Sequence, residues 1–301
     1  MKLFVRTHVV YAVLAVLSCV PSIKAQNNAI QDQAPHAPIT FNYKAVNYPG
    51  ASATLAYAIN NSSEIVGYYT GAGCSQTSCG FSLLKGTFTT IECALENATD
   101  VFDISNTGEI IGTYSFFGGV HGFIWEGNGS CFDIVDPLGP AETEAWGVNK
   151  SGQIVGRYIN SSSIYQGFEY DNGTYTTISC QGWTNTRAYG INDAGVIVGD
   201  VFNSTSGPFS GFTYKSGTCT TFNYPNATST YGRGINNKNQ ITGLYQNSTG
   251  TFGFGAQGST FVSISYPAST ATLAYHANDH ATVAGFYSDT SAVTHGFTAA
   301  P

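Results

Sequence analysis

The chain has 301 residues and a net charge of −7, and only 10% of its residues are charged. An acidic chain without a basic cluster repels phosphate backbones, which excludes nucleic acid as a partner. Gly, Ser, Thr, Asn and Tyr supply the polar surface instead, a composition typical of turn-rich β structure.

The first 25 residues predict a secretory signal peptide. Lys2 and Arg6 precede a short apolar stretch, and the segment ends in small residues at Ala25. The stretch is too short for a membrane span, which needs about 20 apolar residues, and no later stretch approaches that length. Cleavage after Ala25 leaves eight basic and 18 acidic residues, a net charge of −10. We therefore expect a secreted or extracellular protein, with the periplasm and the cell surface as alternatives.

Residues 26–38 predict a flexible N-terminal segment, and residues 39–301 predict one domain built from six repeats. Each repeat contains a phrase such as "GINDAGVIVGD" (190–200) that closes on a glycine. These marker glycines recur every 42–45 residues, at Gly67, Gly112, Gly156, Gly199, Gly243 and Gly285. A Gly-Phe pair keeps the same period, starting at Gly80, Gly122, Gly167, Gly211, Gly253 and Gly296.

Each repeat contains four short runs rich in β-branched and aromatic residues and bounded by turn residues, which predict four strands. In the fourth repeat they are "TYTTISC" (174–180), "RAYGIN" (187–192), "VIVGDVF" (196–202) and "SGFTYKSG" (210–217). Asn192 to Gly195 predicts a hairpin turn between the second and third runs, with the glycine in the left-handed conformation. Ser63 and Ala281 fit this turn chemistry less well.

Six four-stranded repeats predict an all-β, six-bladed β-propeller. The N-terminus supplies an unpaired second arm, "ITFNY" (39–43), and the C-terminus an unpaired first arm, "HGFTAA" (295–300). We expect these terminal strands to pair and close the ring, since an open stack would expose long strand edges. An open β-solenoid is the alternative, and the lack of a capping segment argues against it.

Six cysteines follow the signal peptide. Cys74 and Cys79 lie close together in "GAGCSQTSCGF", and in an oxidising compartment we expect them to form a disulfide. Cys93, Cys131, Cys180 and Cys219 fall inside strand patterns and are interpreted as small apolar fillers, because two of them replace aromatic residues of other repeats.

The phrases of the form "GIN…G.IVG.Y", the Gly-Phe pairs, two of them preceded by His121 and His295, and "YPGA" (48–51) resemble the extracellular HAF-repeat family of bacterial secreted proteins. The resemblance covers essentially the whole mature chain. It implies secretion and a propeller-like β fold, and it implies no activity.

Two columns of residues recur with the repeat, and both predict packing between blades, each large side chain wedged against the next. The first column is also our candidate ligand-binding set, because aromatic faces stack on sugar rings and an arginine binds hydroxyls. It comprises Tyr57, Phe102, Trp146, Tyr189, Arg233 and Tyr275. The second comprises Tyr69, Tyr114, Tyr158, Val201, Tyr245 and Tyr287.

The position directly after each marker glycine varies from repeat to repeat, which predicts solvent or a specific contact. Arg157 and Asp200 occupy it in adjacent repeats and predict an ion pair between blades. Glu142 and Glu144 flank Trp146 on the N-terminal side and are interpreted as solvated loop residues.

Catalytic motifs are absent from the sequence: it contains no nucleophile elbow, phosphate loop or dinucleotide fingerprint. The pairs Asp133/Asp136 and Asp100/Asp103 serve as glycosidase carboxylates only if the fold brings them within about 5–10 Å across a cleft. His276 and His280 lie in a predicted turn, so zinc-protease geometry is not implied. We expect no cofactor, no metal and a monomer.

The leading hypothesis is a secreted, non-catalytic binding protein whose partner is a glycan or an extracellular protein. The first alternative is a glycan-active hydrolase or lyase with acidic residues at one mouth of the propeller. The second is a purely structural extracellular repeat protein.

Overall fold

A computed structural model describes residues 39–93, 97–116 and 119–301. The predicted signal peptide and the segment 26–38 lie outside these residues. The described chain forms 24 strands in six four-stranded antiparallel sheets, arranged as the blades of a β-propeller. The first strands of successive blades contact one another around the ring, and the last of them contacts the first. The predicted fold is confirmed.

The strands follow one another blade by blade. Blade 1 contains β2 (Ala51–Ile59), β3 (Ile65–Gly71), β4 (Cys79–Leu84) and β5 (Thr87–Ile91). Blade 2 contains β6 (Ala98–Ile104), β7 (Ile110–Phe116), β8 (Gly119–Gly127) and β9 (Ser130–Ile134). Blade 3 contains β10 (Thr143–Val148), β11 (Ile154–Ile159), β12 (Tyr165–Asp171) and β13 (Thr174–Ile178).

Blade 4 contains β14 (Asn185–Ile191), β15 (Ile197–Phe202), β16 (Ser210–Lys215) and β17 (Thr218–Phe222). Blade 5 contains β18 (Ser229–Ile235), β19 (Ile241–Asn247), β20 (Gly250–Gln257) and β21 (Thr260–Ile264). Blade 6 contains β22 (Ala271–Ala277), β23 (Val283–Ser288), β24 (Thr294–Ala300) and the N-terminal β1 (Asn42–Val46).

The two chain ends close the ring, as the sequence predicts. β1 pairs antiparallel with β24, in a register that sets Ala45 opposite Phe297. Tyr43 packs on Tyr266 and on Phe297, with ring centroids 5.3 and 5.9 Å apart. Because β1 covers the outer edge of β24, the last blade has the same four strands as the others.

The two sequence markers face each other inside each blade. Every marker glycine on the second strand is the register partner of the buried Phe of a Gly-Phe pair on the third, as in Gly156 opposite Phe168. A Cβ on Gly156 would lie 1.9 Å from the carbonyl oxygen of Glu144 and 2.7 Å from the Phe168 ring. The glycine therefore allows the first strand and the aromatic ring to pack against the second strand at once.

The first two strands of each blade are joined by the predicted tight turn, and these turns define what we call the turn face; the longer loops lie on the opposite loop face. Asn192 Oδ1 accepts hydrogen bonds from the backbone N–H groups of Ala194 and Val196. Ser63 and Ala281 adopt positive φ values of 62° and 61° at the position of Gly195, so these turns are built alike despite the different residues.

Three disulfides cross-link the described chain. Cys74 pairs with Cys79, as predicted. The interpretation of the other four cysteines as apolar fillers is wrong, because they form two further disulfides, Cys93–Cys131 and Cys180–Cys219. Each of these two further disulfides joins the loop that enters a blade to the outer strand of that blade. In blade 1 the corresponding positions hold Tyr48 and Phe88, whose ring centroids lie 5.0 Å apart. Three disulfides indicate an oxidising environment.

None of the described residues forms a helix with the length and apolar character of a membrane span.

Candidate functional site

The six residues of the candidate ligand-binding column occupy one structural position. In each blade the register of the first two strands shifts by one residue, and the extra residue of this β-bulge is the column residue, as with Trp146 between Ala145 and Gly147. The same holds for Tyr57, Phe102, Tyr189, Arg233 and Tyr275. A bulge re-aims a side chain, and here it brings all six toward the centre of the ring.

These six side chains contact one another in a closed ring that we call the plug. Phe102 and Trp146 stack at 3.9 Å with an interplanar angle of 1°, and the Trp146 and Tyr189 centroids lie 4.9 Å apart. The guanidinium carbon of Arg233 lies 4.0 Å from the Tyr189 ring centroid and 5.9 Å from that of Tyr275. Tyr275 contacts Tyr57 at 4.5 Å, and Tyr57 contacts Phe102 at 5.0 Å.

The plug fills the centre of the propeller. Tyr57, Phe102 and Tyr189 are buried, with exposed fractions of 6%, 8% and 6%. The cavity beside the plug measures about 20 Å³, which suits a single water molecule and is too small for a sugar ring. The column is therefore a packed aromatic layer, and a ligand can reach only the outer edges of its members.

A second layer of side chains lies between the plug and the loop face. In each blade it consists of the residue two positions before the plug residue on the first strand and of its register partner on the second strand. The pairs, which we call the mouth, are Leu55–Tyr68, Asp100–Thr113, Glu144–Arg157, Arg187–Asp200, Tyr231–Leu244 and Leu273–Phe286. The second member of each pair is the variable position after the marker glycine.

Charged groups line the mouth in blades 2, 3 and 4, and Arg233 of the plug reaches them from blade 5. Arg157 donates from Nε and Nη2 to Glu144, at 2.8 and 2.7 Å. Asp200 is fully buried and accepts hydrogen bonds from Arg187 Nε at 2.7 Å and from Arg233 Nη1 at 2.8 Å. The predicted pairing of Arg157 with Asp200 is therefore wrong, because each residue finds an opposite charge across its own strand pair.

Glu144 is not a solvated loop residue. Its side chain is 12% exposed, and its carboxylate accepts hydrogen bonds from both Arg157 and Trp146 Nε1. Glu142 lies in the loop before β10 and is half-buried.

Several guanidinium donors at the mouth are unused. Among the described residues, neither terminal amino group of Arg187 has a hydrogen-bond partner, since its hydrogen bond to Asp200 uses Nε. Arg233 Nε is buried and also unpaired within the described chain. Arginine donors cannot be deprotonated at physiological pH, so a ligand or water must satisfy them.

Aromatic side chains hold Arg187 in place. Its guanidinium carbon lies 4.7 Å from the Phe202 ring centroid, 5.3 Å from that of Phe209 and 5.8 Å from that of Tyr165. Arg157 lies over the same Tyr165 ring at 4.9 Å. Stacking of this kind restrains a guanidinium while leaving its edge free to donate hydrogen bonds.

Blades 6 and 1 give the mouth an apolar side. Tyr68 stacks on Tyr57 of the plug at 5.6 Å, and Phe286 stacks on Tyr275 at 5.2 Å. Both outer rings are half-buried, as are Leu55 and Leu273. Burial raises the pKa of Tyr68 to about 12, so its hydroxyl stays protonated.

The mouth also holds one carboxyl group without a strong partner. Burial raises the pKa of Asp100 to about 6, and the nearby charge of Glu144 adds to the effect, while Ser78 opposes it. Asp100 Oδ1 is buried and has no hydrogen-bond partner among the described residues. Asp100 is thus a group that changes charge near neutral pH.

The members of each acidic pair named from the sequence lie in different surroundings. Asp103 follows the plug residue Phe102 and lines the cavity beside the plug, whereas Asp100 precedes it at the mouth. Asp133 is exposed and bonds Tyr114, while Asp136 is buried and accepts a hydrogen bond from Leu138 N–H.

One group of potential metal ligands occurs in the described residues, formed by Cys74, Cys79 and Glu92. Since the two sulfurs are joined in a disulfide, they cannot act as thiolate ligands.

The turn face is closed by a belt of asparagine side chains. Asn192 Nδ2 donates to the backbone oxygen of Asn236 in the next blade, and Asn149, Asn236 and Asn278 repeat this contact. The cavity lined by these residues measures about 30 Å³, which suits water molecules rather than a sugar ring. The loop-face mouth is the candidate ligand site because arginine donors and aromatic rings meet there.

The sequence does not predict that the mouth residues lie together, and one buried repeat position was not recognised from the sequence. The position three residues before each plug residue is a buried threonine whose Oγ1 accepts a backbone N–H from the preceding loop, as Thr186 does from Cys180. The column comprises Thr54, Thr99, Thr143, Thr186, Thr230 and Thr272. Its spacing matches that of the marker glycines, so a full alignment of the repeats would have found it.

No family model matches the chain, and no curated protein matches it. Among solved structures, it is similar to a variant of the Aleuria aurantia lectin in complex with Fucα1-6GlcNAc, with 12% identity and a TM-score of 0.51 over 82% of this chain and 91% of the lectin. It is equally similar to the β-propeller domain of the Trilobed protease from Pyrococcus furiosus, with 9% identity and a TM-score of 0.52 over 83% and 81% of the two chains.

TolB from Acinetobacter baumannii gives 8% identity and a TM-score of 0.51, over 83% of this chain and 64% of that chain. These proteins differ in their named functions. At such low identities the comparisons establish one conclusion, that the chain has a β-propeller fold.

Proposed function

We propose that this chain is a secreted, non-catalytic carbohydrate-binding propeller that holds its ligand at the loop-face mouth. The observation that carries the proposal is the combination of the unused terminal amino groups of Arg187 on one side of the mouth with Tyr68 and Phe286 on the other. A saccharide offers the matching chemistry, because it carries hydroxyl acceptors and apolar ring faces on the same small molecule.

Two further observations support the proposal. The three disulfides fit an extracellular location, and the repeat phrases resemble those of the secreted HAF-repeat family. The Aleuria aurantia lectin shows that a propeller of this fold can bind a saccharide. Saccharides are therefore the first ligand class to test.

A glycan array with the mature chain, followed by calorimetry on the strongest ligand, tests the proposal. Tyr68→Ala removes a ring from the apolar side, and we expect it to weaken binding about fivefold or more, from the loss of aromatic stacking. Phe132→Ala is the matched control, because Phe132 is 50% exposed and lies on the outer strand of blade 2, away from the mouth. Failure to bind any saccharide, or equal binding by the Tyr68 and Phe132 variants, would contradict the proposal.

Asp100 favours one alternative, a glycan-active hydrolase or lyase. A carboxyl group with a pKa of about 6 that lies near the Arg157-paired Glu144 has the properties of a general acid. Incubating the bound saccharide with the wild type at pH 5–6 and analysing the products tests this alternative. Cleavage that is lost in Asp100→Asn supports it, and an intact saccharide contradicts it.

A further inference from the structure

We infer that the saccharide bound at the mouth carries a carboxylate, as a hexuronate does, and that Arg187 receives this group. The inference rests on the proposed carbohydrate-binding function and specifies its ligand.

All three arginines of the described chain converge on the mouth, although they come from three different blades. The five described lysines instead lie in turns and on outer strands, at Lys44, Lys85, Lys150, Lys215 and Lys238. Lysine would supply the same charge. What arginine adds is a planar fork that binds a carboxylate through two parallel hydrogen bonds.

Among the charged groups of blades 3, 4 and 5, one positive charge is left without a carboxylate of its own, and Asp100 on blade 2 forms no ion pair with these arginines. Arg157 is neutralised by Glu144. Arg187 and Arg233, in contrast, share the single carboxylate of Asp200. A ligand carboxylate would neutralise this local positive charge, which stands out in a chain of net charge −7.

The geometry places the free fork on Arg187 rather than on its neighbours. Arg233 is one of the plug residues, its Nη1 donates to Asp200 and to the Gly232 carbonyl oxygen, and its Nε is buried. Arg157 presents its fork to Glu144. Arg187 contacts Asp200 through Nε alone and is held by Phe202 and Phe209, so its terminal amino groups are restrained and unpaired among the described residues.

The other acidic group of the mouth bears on where the ligand carboxylate sits. Asp100 lies on blade 2 and would repel a carboxylate when ionised, whereas Arg187 lies on blade 4. The sugar ring then extends from Arg187 toward Tyr68 and Phe286, where its apolar face is covered. A hexuronate has both features, a carboxylate and a ring with an apolar face.

Calorimetry with matched ligand pairs tests the inference. The probes are oligosaccharides of glucuronate, galacturonate and mannuronate, each compared with the same oligosaccharide after reduction of its carboxyl groups to primary alcohols. We expect at least one acidic member to bind the mature chain about tenfold or more tightly than its reduced partner, because charge-assisted hydrogen bonds are lost on reduction. The preference should shrink as salt is added.

Arg187→Lys keeps the charge and loses the fork, so we expect it to weaken binding of the acidic member about tenfold and leave the reduced member unchanged. Arg187→Gln serves as the second variant, and both are checked for folding by circular dichroism. Lys215→Met is the matched control for loss of a basic residue, because Lys215 is exposed at the end of an outer-half strand.

The outcomes separate this inference from the proposed function. Equal binding of acidic and reduced members overturns the carboxylate inference and leaves carbohydrate binding in place. Absence of binding by every saccharide overturns both. An acid preference that survives in Arg187→Lys and Arg187→Gln, or equally tight binding of a short glutamate peptide, also overturns the inference.

Discussion

The sequence pattern of the plug residues is compatible with two roles, packing between blades and sugar binding. Aromatic residues at a repeated position predict packing, and they equally predict a sugar platform, since both uses need a flat apolar face. The sequence pattern identifies the six positions, and the β-bulge decides between the two uses by turning the side chains toward one another. Their direct role in ligand binding stays a prediction, limited by the structure to the edges that face the mouth.

Trp146→Ala tests the packing role. Trp146 stacks on Phe102 and contacts Tyr189 and Tyr57, so its truncation removes the centre of the plug. Because Trp146 is half-buried, we expect a loss of about 2–4 kcal/mol in the free energy of unfolding, somewhat less than for a fully buried tryptophan. Chemical denaturation measures this value, with the exposed Phe132→Ala as the control. A loss as small as that of the control would show that the plug does not carry the packing.

Asp100 gives the molecule a defined pH dependence. Its folded-state pKa of about 6 lies above the ordinary value of 3.8, so the folded chain holds a proton that the unfolded chain releases between pH 4 and 6. Stability therefore falls as the pH rises through this range. Asp100→Asn removes the buried charge, and we expect it to stabilise the protein by roughly 1–3 kcal/mol at pH 7.5 and by little at pH 4. Denaturation at the two pH values measures the difference, and an equal effect at both would contradict the assignment.

At the scale of the strand and turn, local chemistry accounts for what the sequence predicts correctly. Turn residues, alternating apolar runs and the marker glycines each act within one blade, so one repeat is enough to recognise them. The disulfides Cys93–Cys131 and Cys180–Cys219, and the asparagine contacts made by Asn149, Asn192 and Asn236, join residues that are 38–47 positions apart. Cys93 and Cys131 occupy positions that are aromatic in blade 1, and only their spatial pairing distinguishes a cross-link from two small apolar residues.

The asparagine that begins each turn also fastens adjacent blades together. Asn192 caps its own turn and donates to Asn236 and Asn239 of the next blade, whereas Ser105 occupies the same position in blade 2 and bonds only within its own turn. We expect Asn192→Ala to cost about 1–3 kcal/mol, because two buried polar contacts between blades are lost. Ser105→Ala is the matched control and should cost less. Equal losses in thermal or chemical unfolding would show that the contact between blades contributes nothing.

For the whole molecule, the ring determines which residues form the candidate site. Arg157, Arg187 and Arg233 lie at three different positions of the repeat, so aligning the repeats does not group them. They meet because three neighbouring blades present those positions to the same mouth. The repeat period of the sequence is enough to predict the propeller fold. It does not predict which residues of different blades meet at the mouth, because that depends on the curvature of the ring.

The pairing of β1 with β24 closes the ring and is expected to contribute to its stability. A chain that begins at residue 47 lacks β1, leaves the edge of β24 unpaired and removes Tyr43 from Tyr266 and Phe297. A chain that begins at residue 39 retains β1 and is the control. We expect the shorter chain to lose about 3 kcal/mol or more of unfolding free energy and to associate through its exposed edge, since unpaired strands template further pairing. Chemical denaturation and size-exclusion chromatography over a range of concentrations measure the two effects. If both chains unfold at the same denaturant concentration and elute alike, the strand pairing of the two chain ends does not hold the ring closed.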